Sequence, residues 1–171
     1  YMDGGSVEDL LAEGPLAPEQ VLQILQQIAP ALDYAHREGV LHRDLTPGNI
    51  LLEQATGRAV VVDFGLVRMA GRSTRVTATG MIMGTVDYIA PEQARGQTVD
   101  ARADIYSLGV VLYQMLCGRL PFEAETAAAM IFQHAYEKPF PLKMFAADVP
   151  DPVLEITARM MAKSPAERYR D

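Results

Sequence analysis

The sequence contains one cysteine, Cys117, and no tryptophan. A single thiol cannot form an internal disulfide, so the chain must hold itself together through its core, as suits a reducing cytosol. Cys117 ends the apolar run 107–117 and is expected to be a buried, inert thiol. That run is about half of the roughly 20 residues that a membrane-spanning helix needs, and no longer one occurs. No basic-then-apolar leader opens the chain. Positive charge is scarce as well: 15 Lys and Arg stand against 22 Asp and Glu, a net charge of -7. A nucleic-acid binder displays a basic face, so nucleic acid is excluded as a partner. The expectation is a cytoplasmic chain with no membrane contact of its own, suited to chemistry that recruits cations such as magnesium. Internal repeats, low-complexity blocks and Ser/Gly-rich linkers are absent too.

What is present is enough apolar residue for a real core: 49% of 171 residues, the size of one ordinary domain. The chain starts at Tyr1 rather than Met, which reads as a piece of something longer. Residues 1–6 read as a turn or connector, and 7–13 as a short helix closed by Gly14-Pro15. Pro18 suits a first helical position. Val21, Leu22, Leu25, Ile28, Ala29, Leu32 and Ala35 then follow at helical spacing until Gly39. Pro30 interrupts this pattern and should kink the helix or remove one backbone bond. Two short branched runs, 50–53 and 60–63, flank a turn containing Gly57 and read as a hairpin. From 69 to 84 the pattern dissolves into a long aperiodic loop. Helices are predicted over 91–95, 103–117, 125–137 and 153–162. The fold class is mainly α, a helical bundle with one small β-hairpin.

The hairpin brackets the most polar cluster in the chain. His42-Arg43-Asp44-Leu45-Thr46-Pro47-Gly48-Asn49 precedes it and Asp63-Phe64-Gly65 follows it. A hairpin brings its outer ends together, so Asp44, Asn49 and Asp63 are placed to share one cleft. Two carboxylates and an amide oxygen suit a hard divalent cation shared with phosphates. Read singly, each is an ordinary polar turn residue beside a strand.

Taken together, these motifs resemble the protein kinases, in particular bacterial Ser/Thr kinases of eukaryotic type. His42-Arg43-Asp44…Asn49 is similar to the catalytic loop and Asp63-Phe64-Gly65 to the magnesium loop. Ala90-Pro91-Glu92 is similar to the end of the activation segment. Asp104 and Gly109 match the helix beneath the catalytic loop, and Lys163-Ser164-Pro165-Ala166-Glu167-Arg168 matches the late arginine motif. The resemblance implies the C-terminal lobe of a kinase domain over residues 1–171, within a parent domain of α+β class.

The resemblance also implies roles. Asp44 is the catalytic base; Asn49 and Asp63 hold Mg2+, with Mn2+ as a substitute, on the phosphates of ATP. Thr85 bonds Asp44 and shapes a Ser/Thr acceptor site. Arg43 pairs with a phosphorylated activation loop, with Thr77 and Thr79 the favoured sites and Ser73 and Thr74 further candidates. Met2 and Asp9 contact adenine and ribose, and Leu51 and Val62 form the floor of the adenine site. His42, Phe64 and Gly65 shape the two loops. Asp104 accepts backbone N–H bonds from the His42-Arg43 region, and Glu92 and Arg168 form a buried ion pair. Thr46 departs from the family, which places a lysine there; a hydroxyl replaces a charge beside the transferring phosphoryl group.

The family's Gly-rich loop, strand lysine and helix glutamate do not occur in these residues. Three readings follow. The first is a Ser/Thr protein kinase acting on protein substrates, represented by one lobe that is inactive alone; a kinase-domain dimer is compatible with it. The second is a pseudokinase scaffold, suggested by Thr46. The third is a small-molecule phosphotransferase of kinase-like fold, against which the Ala-Pro-Glu segment and Thr85 speak.

Overall fold

The structure, a computed structural model, describes residues 3–64 and 85–170, and of Thr85 the backbone alone. The expectations for Met2, Gly65, Ser73, Thr74, Thr77, Thr79 and the loop 69–84 lie outside the described residues. Helix α1 spans Val7–Glu13 and α2 spans Pro18–Arg37. Strands β1, Ile50–Leu52, and β2, Ala59–Val61, form the hairpin. Helices α3 (Pro91–Ala94), α4 (Ala101–Cys117), α5 (Ala127–Tyr136) and α6 (Asp151–Met160) follow. The described residues are thus mainly helical around one two-stranded antiparallel sheet.

Local chemistry accounts for the helix starts. Ser6 caps α1, its Oγ accepting the Asp9 N–H while Asp9 bonds back to the Ser6 N–H. Pro18 occupies the first turn of α2, and Asp100 caps α4. Helix α2 runs unbroken through Pro30, which lies on its exposed side. The carbonyl that proline leaves unpaired there can meet water.

Three details differ from the sequence expectation. Residues 4–6 are not a free connector: Gly4 N–H donates to Leu52 O at 3.0 Å, and Leu52 N–H donates to Gly5 O at 2.9 Å. Ser6 bridges Leu51, so this segment pairs with the outer edge of β1. Hydrophobic pattern cannot announce a pairing segment made of glycine and serine. The hairpin is shorter than expected, with Ile50 opposite Val61 and Leu52 opposite Ala59. Cys117 is only half-buried, because α4 emerges at Gly118 toward the surface. Its thiol donates to Tyr113 O, and burial still raises its pKa, which keeps it protonated. No helix among the described residues is long and apolar enough to cross a membrane.

Helix α4 is the central element, buried from Ala103 to Tyr113 along its length. It packs on α2, α3 and α6. Gly109 permits the α6 contact: a Cβ there would lie 2.8 Å from Met160 Cβ and 3.0 Å from Met161 Cγ. Below it, His134 is 0% exposed, its Nδ1 3.0 Å from the Tyr106 hydroxyl and its ring against Phe122. Lys163 Nζ donates to His134 O at 2.7 Å and Gln133 O at 3.1 Å. It also lies 4.5 Å from the Phe122 ring centroid. Burial, then the Lys163 charge, pushes the His134 pKa down to about 3. Burial, with Arg95 and Arg168 nearby, pushes Lys163 down to about 8.

Two outcomes are expected. Gly109→Ala should lower the unfolding free energy by about 1–3 kcal/mol through overpacking, read from urea denaturation. His134 has a folded pKa below its unfolded one, so falling pH protonates the unfolded chain first. Its contribution is complete above about pH 6.5 and lost toward pH 3. Wild type should therefore lose about 2 kcal/mol more than His134→Gln between about pH 7 and about pH 4.5. Equal losses in the two proteins would refute the assignment.

Candidate active site

The segment before β1 is fixed from beneath by Asp104, which is 1% exposed. Its Oδ2 accepts the His42 N–H at 2.8 Å and its Oδ1 accepts the Arg43 N–H at 2.7 Å. His36 Nε2 donates to Oδ2 at 2.8 Å from the end of α2. A buried carboxylate is tolerable only when its oxygens are satisfied in this way.

His42 is fully enclosed and ties the loop to the hairpin. Its Nε2 donates to Val62 O at 2.8 Å, and its Nδ1 accepts the Asp44 N–H at 3.3 Å. Phe64 packs on the same imidazole, with ring centroids 4.9 Å apart. Leu45 is 0% exposed and anchors the loop in the core. With its neighbours fixed, the Asp44 side chain is left half-buried. Burial pushes its carboxyl pKa up, with His42 opposing.

Asn49 joins the two sides of the cleft. Its Nδ2 donates to Asp44 O at 2.7 Å, and its own carbonyl accepts the Val62 N–H at 2.9 Å. The amide oxygen of Asn49 is thereby left for a ligand. Asp63 is the residue after Val62; it is exposed and holds φ 63°. Arg43 holds φ 68°, and these two are the only described non-glycine residues in the left-handed region. Such conformations cost about 1–3 kcal/mol each and persist only where surrounding bonds impose them. An amide oxygen and a carboxylate at adjoining hairpin ends are all-oxygen donors of the kind a hard divalent cation prefers.

The other sequence candidates fall as follows. Thr46 precedes the short 3-10 turn Pro47–Asn49. At Gly48 a Cβ would lie 2.7 Å from Glu8 Oε2, so a larger residue there would require the Glu8 carboxylate to move. Leu51 and Val62 are half-buried at the hairpin. Asp9 serves as a helix cap, its Oδ2 accepting from the Ser6 N–H and Oγ at 2.7 Å each. Those bonds lower its pKa. The Thr85 side chain lies outside the described residues. The turn Thr85–Tyr88 is pinned to α4, where Ser107 Oγ donates to Tyr88 O at 2.8 Å and the Tyr88 hydroxyl donates to Gln114 at 2.6 Å.

Glu92 and Arg168 are each 2% exposed and form a bidentate pair at 2.7 and 2.8 Å. Arg168 also donates to Arg102 O and Ala162 O, and its guanidinium lies 4.9 Å from the Tyr106 ring centroid. Sequence reasoning missed two residues of this framework, His36 and Gln93. Gln93 Nε2 donates to Arg43 O at 2.9 Å, and its Oε1 accepts the Ala90 N–H at 3.0 Å. The sequence holds a faint signal for the second of these bonds, a glutamine at the third position of a helix.

The family model described as "Protein kinase domain" matches residues 1–170. The chain belongs to the protein kinase domain family. Serine/threonine-protein kinase PknB of Mycobacterium leprae is 39% identical over 171 residues, covering 99% of this chain and 27% of that protein. Its namesake in Mycolicibacterium smegmatis is 40% identical over 172 residues, with the same coverages of 99% and 27%. A probable serine/threonine-protein kinase of Streptomyces coelicolor is 38% identical over 172 residues, covering 99% of this chain and 25% of that protein. The chain therefore spans about a quarter of the length of these curated relatives.

The buried Glu92–Arg168 pair has a measurable consequence. Arg168→Met leaves Glu92 buried and unpaired and should cost about 3–5 kcal/mol in unfolding free energy. The Glu92→Met, Arg168→Met double variant should recover much of that loss. If the single variant proves no less stable than the double, the pair does not hold the fold.

Proposed function

We propose that this chain is the C-terminal lobe of a Ser/Thr protein kinase that transfers the ATP γ-phosphoryl group to protein hydroxyls. The observation that carries this is the half-buried Asp44 beside an Asn49 and Asp63 pair of oxygen donors, all set on one bonded frame. The kinase names of the relatives support the Ser/Thr class.

Asp44 orients the acceptor hydroxyl and takes its proton as the oxygen attacks. Burial raises its pKa, which makes the carboxylate a better proton acceptor. Asn49 and Asp63 would hold Mg2+, which when bound neutralises phosphate charge. The left-handed turns at Arg43 and Asp63 aim the neighbouring side chains before substrate arrives, so no reorganisation is needed during transfer. Leu51 and Val62 floor the adenine site, Met2 meets its edge and Asp9 approaches the ribose. Thr85 shapes the acceptor site, and Thr46 contributes a hydroxyl there. Arg43 receives phosphorylated Thr77 or Thr79. The lobe works with a separate nucleotide-covering lobe, in the cytoplasm, on protein substrates.

In the complete protein, Asp44→Asn should reduce phosphate transfer to a generic basic protein by about 10²-fold or more, measured with radiolabelled ATP. Transfer that survives the substitution would remove Asp44 from the role of base. Absence of any transfer by the wild type would favour the scaffold reading that Thr46 suggests, and transfer to sugars or antibiotics alone would favour a small-molecule phosphotransferase.

A further inference from the structure

Arg43 is the strained residue directly before the proposed base, and both of its backbone groups are held. Its N–H goes to Asp104, a partner on α4. Its carbonyl goes to Gln93 Nε2 at 2.9 Å, a partner 50 residues away on α3. Gln93 has a second tie, from its Oε1 to the N–H of Ala90, the residue just before α3. One planar amide therefore spans from the end of the 85–90 segment to the catalytic loop. Helix α3 is itself seated by the Glu92–Arg168 pair one residue earlier.

A glutamine that only capped α3 would need its oxygen alone. The amide nitrogen is spent on a carbonyl whose direction is set by φ 68°. If Arg43 relaxed to negative φ, its carbonyl would swing away and Asp44 would turn with it. The Asp104 bond does not prevent this by itself, since it holds the N–H side of Arg43 and leaves the carbonyl side free.

We propose that Gln93 is a positioning residue for the phosphoryl-transfer reaction. It locks the left-handed turn of Arg43, and so the aim of Asp44, to the seated state of α3. Asp44 is then aligned only while the segment ending at Ala90 is docked on Glu92 and Arg168. The inference rests on the kinase reading above for its catalytic half and on the bonds alone for its structural half.

The test compares Gln93→Glu with Gln93→Leu in the complete protein. Glutamate keeps an oxygen for the Ala90 N–H and loses the donor to Arg43; leucine loses both bonds. Both variants should lower kcat about tenfold with KM for ATP within about twofold of wild type, because nucleotide contacts are untouched. Gln93→Leu should also lower Tm, whereas Gln93→Glu should leave it close to wild type. Amide hydrogen exchange in the peptide covering residues 42–45 should quicken in both, with that of α4 unchanged. Wild-type kcat and exchange in Gln93→Glu would overturn the proposal. So would a kcat loss that simply follows Tm, which marks a merely structural role. The exchange readout needs no turnover, so a protein without kinase activity would sink the functional reading while still deciding the coupling.

Discussion

Everything in the site hangs on one buried carboxylate. Asp104 carries its charge into the core, where an ionised group is unfavourable unless every oxygen is bonded. It is satisfied by two successive backbone N–H groups, those of His42 and Arg43, and by His36. The need runs both ways. The carboxylate requires the loop to present two adjacent N–H groups, and the loop requires the carboxylate to hold those groups in place. A helix buried as deeply as α4 is a rigid place from which to impose that condition. The chemistry above it inherits this rigidity.

The buried ion pair of Glu92 and Arg168 does a different job near the same end of that helix. Glu92 and Arg168 join α3 to the chain's final turn, with the arginine also gathering the carbonyls of Arg102 and Ala162. An arginine with its donors distributed over a carboxylate and backbone oxygens avoids most of the desolvation cost that makes isolated buried pairs weak. Tyr106 lies under that guanidinium and reaches His134, whose carbonyl in turn accepts from Lys163. One face of α4 therefore carries a continuous polar network through an otherwise apolar core.

Legibility in the sequence followed the range of each interaction. The His-Arg-Asp, Asp-Phe-Gly and Ala-Pro-Glu motifs have fixed local spacing and were readable, as were the helices with capping or proline signals at their starts. The hairpin was readable from its branched runs, though not to the residue. His36 was hidden because its partner lies 68 residues away and nothing in α2's pattern sets it apart. Gln93 was hidden for the same reason, at a separation of 50. The pairing of residues 4–6 with β1 was hidden because glycines carry no pattern, only backbone. Cys117 misled because an apolar run indicates burial on average and does not show where the helix surfaces.

The two acids of the proposed site illustrate how one frame can give like groups unlike tasks. Asp44 and Asp63 both follow or occupy left-handed turns, so both are held by backbone geometry rather than by side-chain bonds. Their surroundings then diverge. Asp44 is half-buried and its pKa is raised, which favours proton acceptance, while Asp63 faces solvent at the hairpin's end, where a cation can reach it. Partial burial of one carboxylate and exposure of the other thus separate their tasks on one frame. The separation here follows from the hairpin, which leaves Asp44 on the packed side of the cleft and carries Asp63 past its edge. Strain stored at Arg43 and Asp63 is thus the cost of aiming two carboxylates in advance, and the Asp104 and Gln93 bonds are what keep the first of those turns from relaxing.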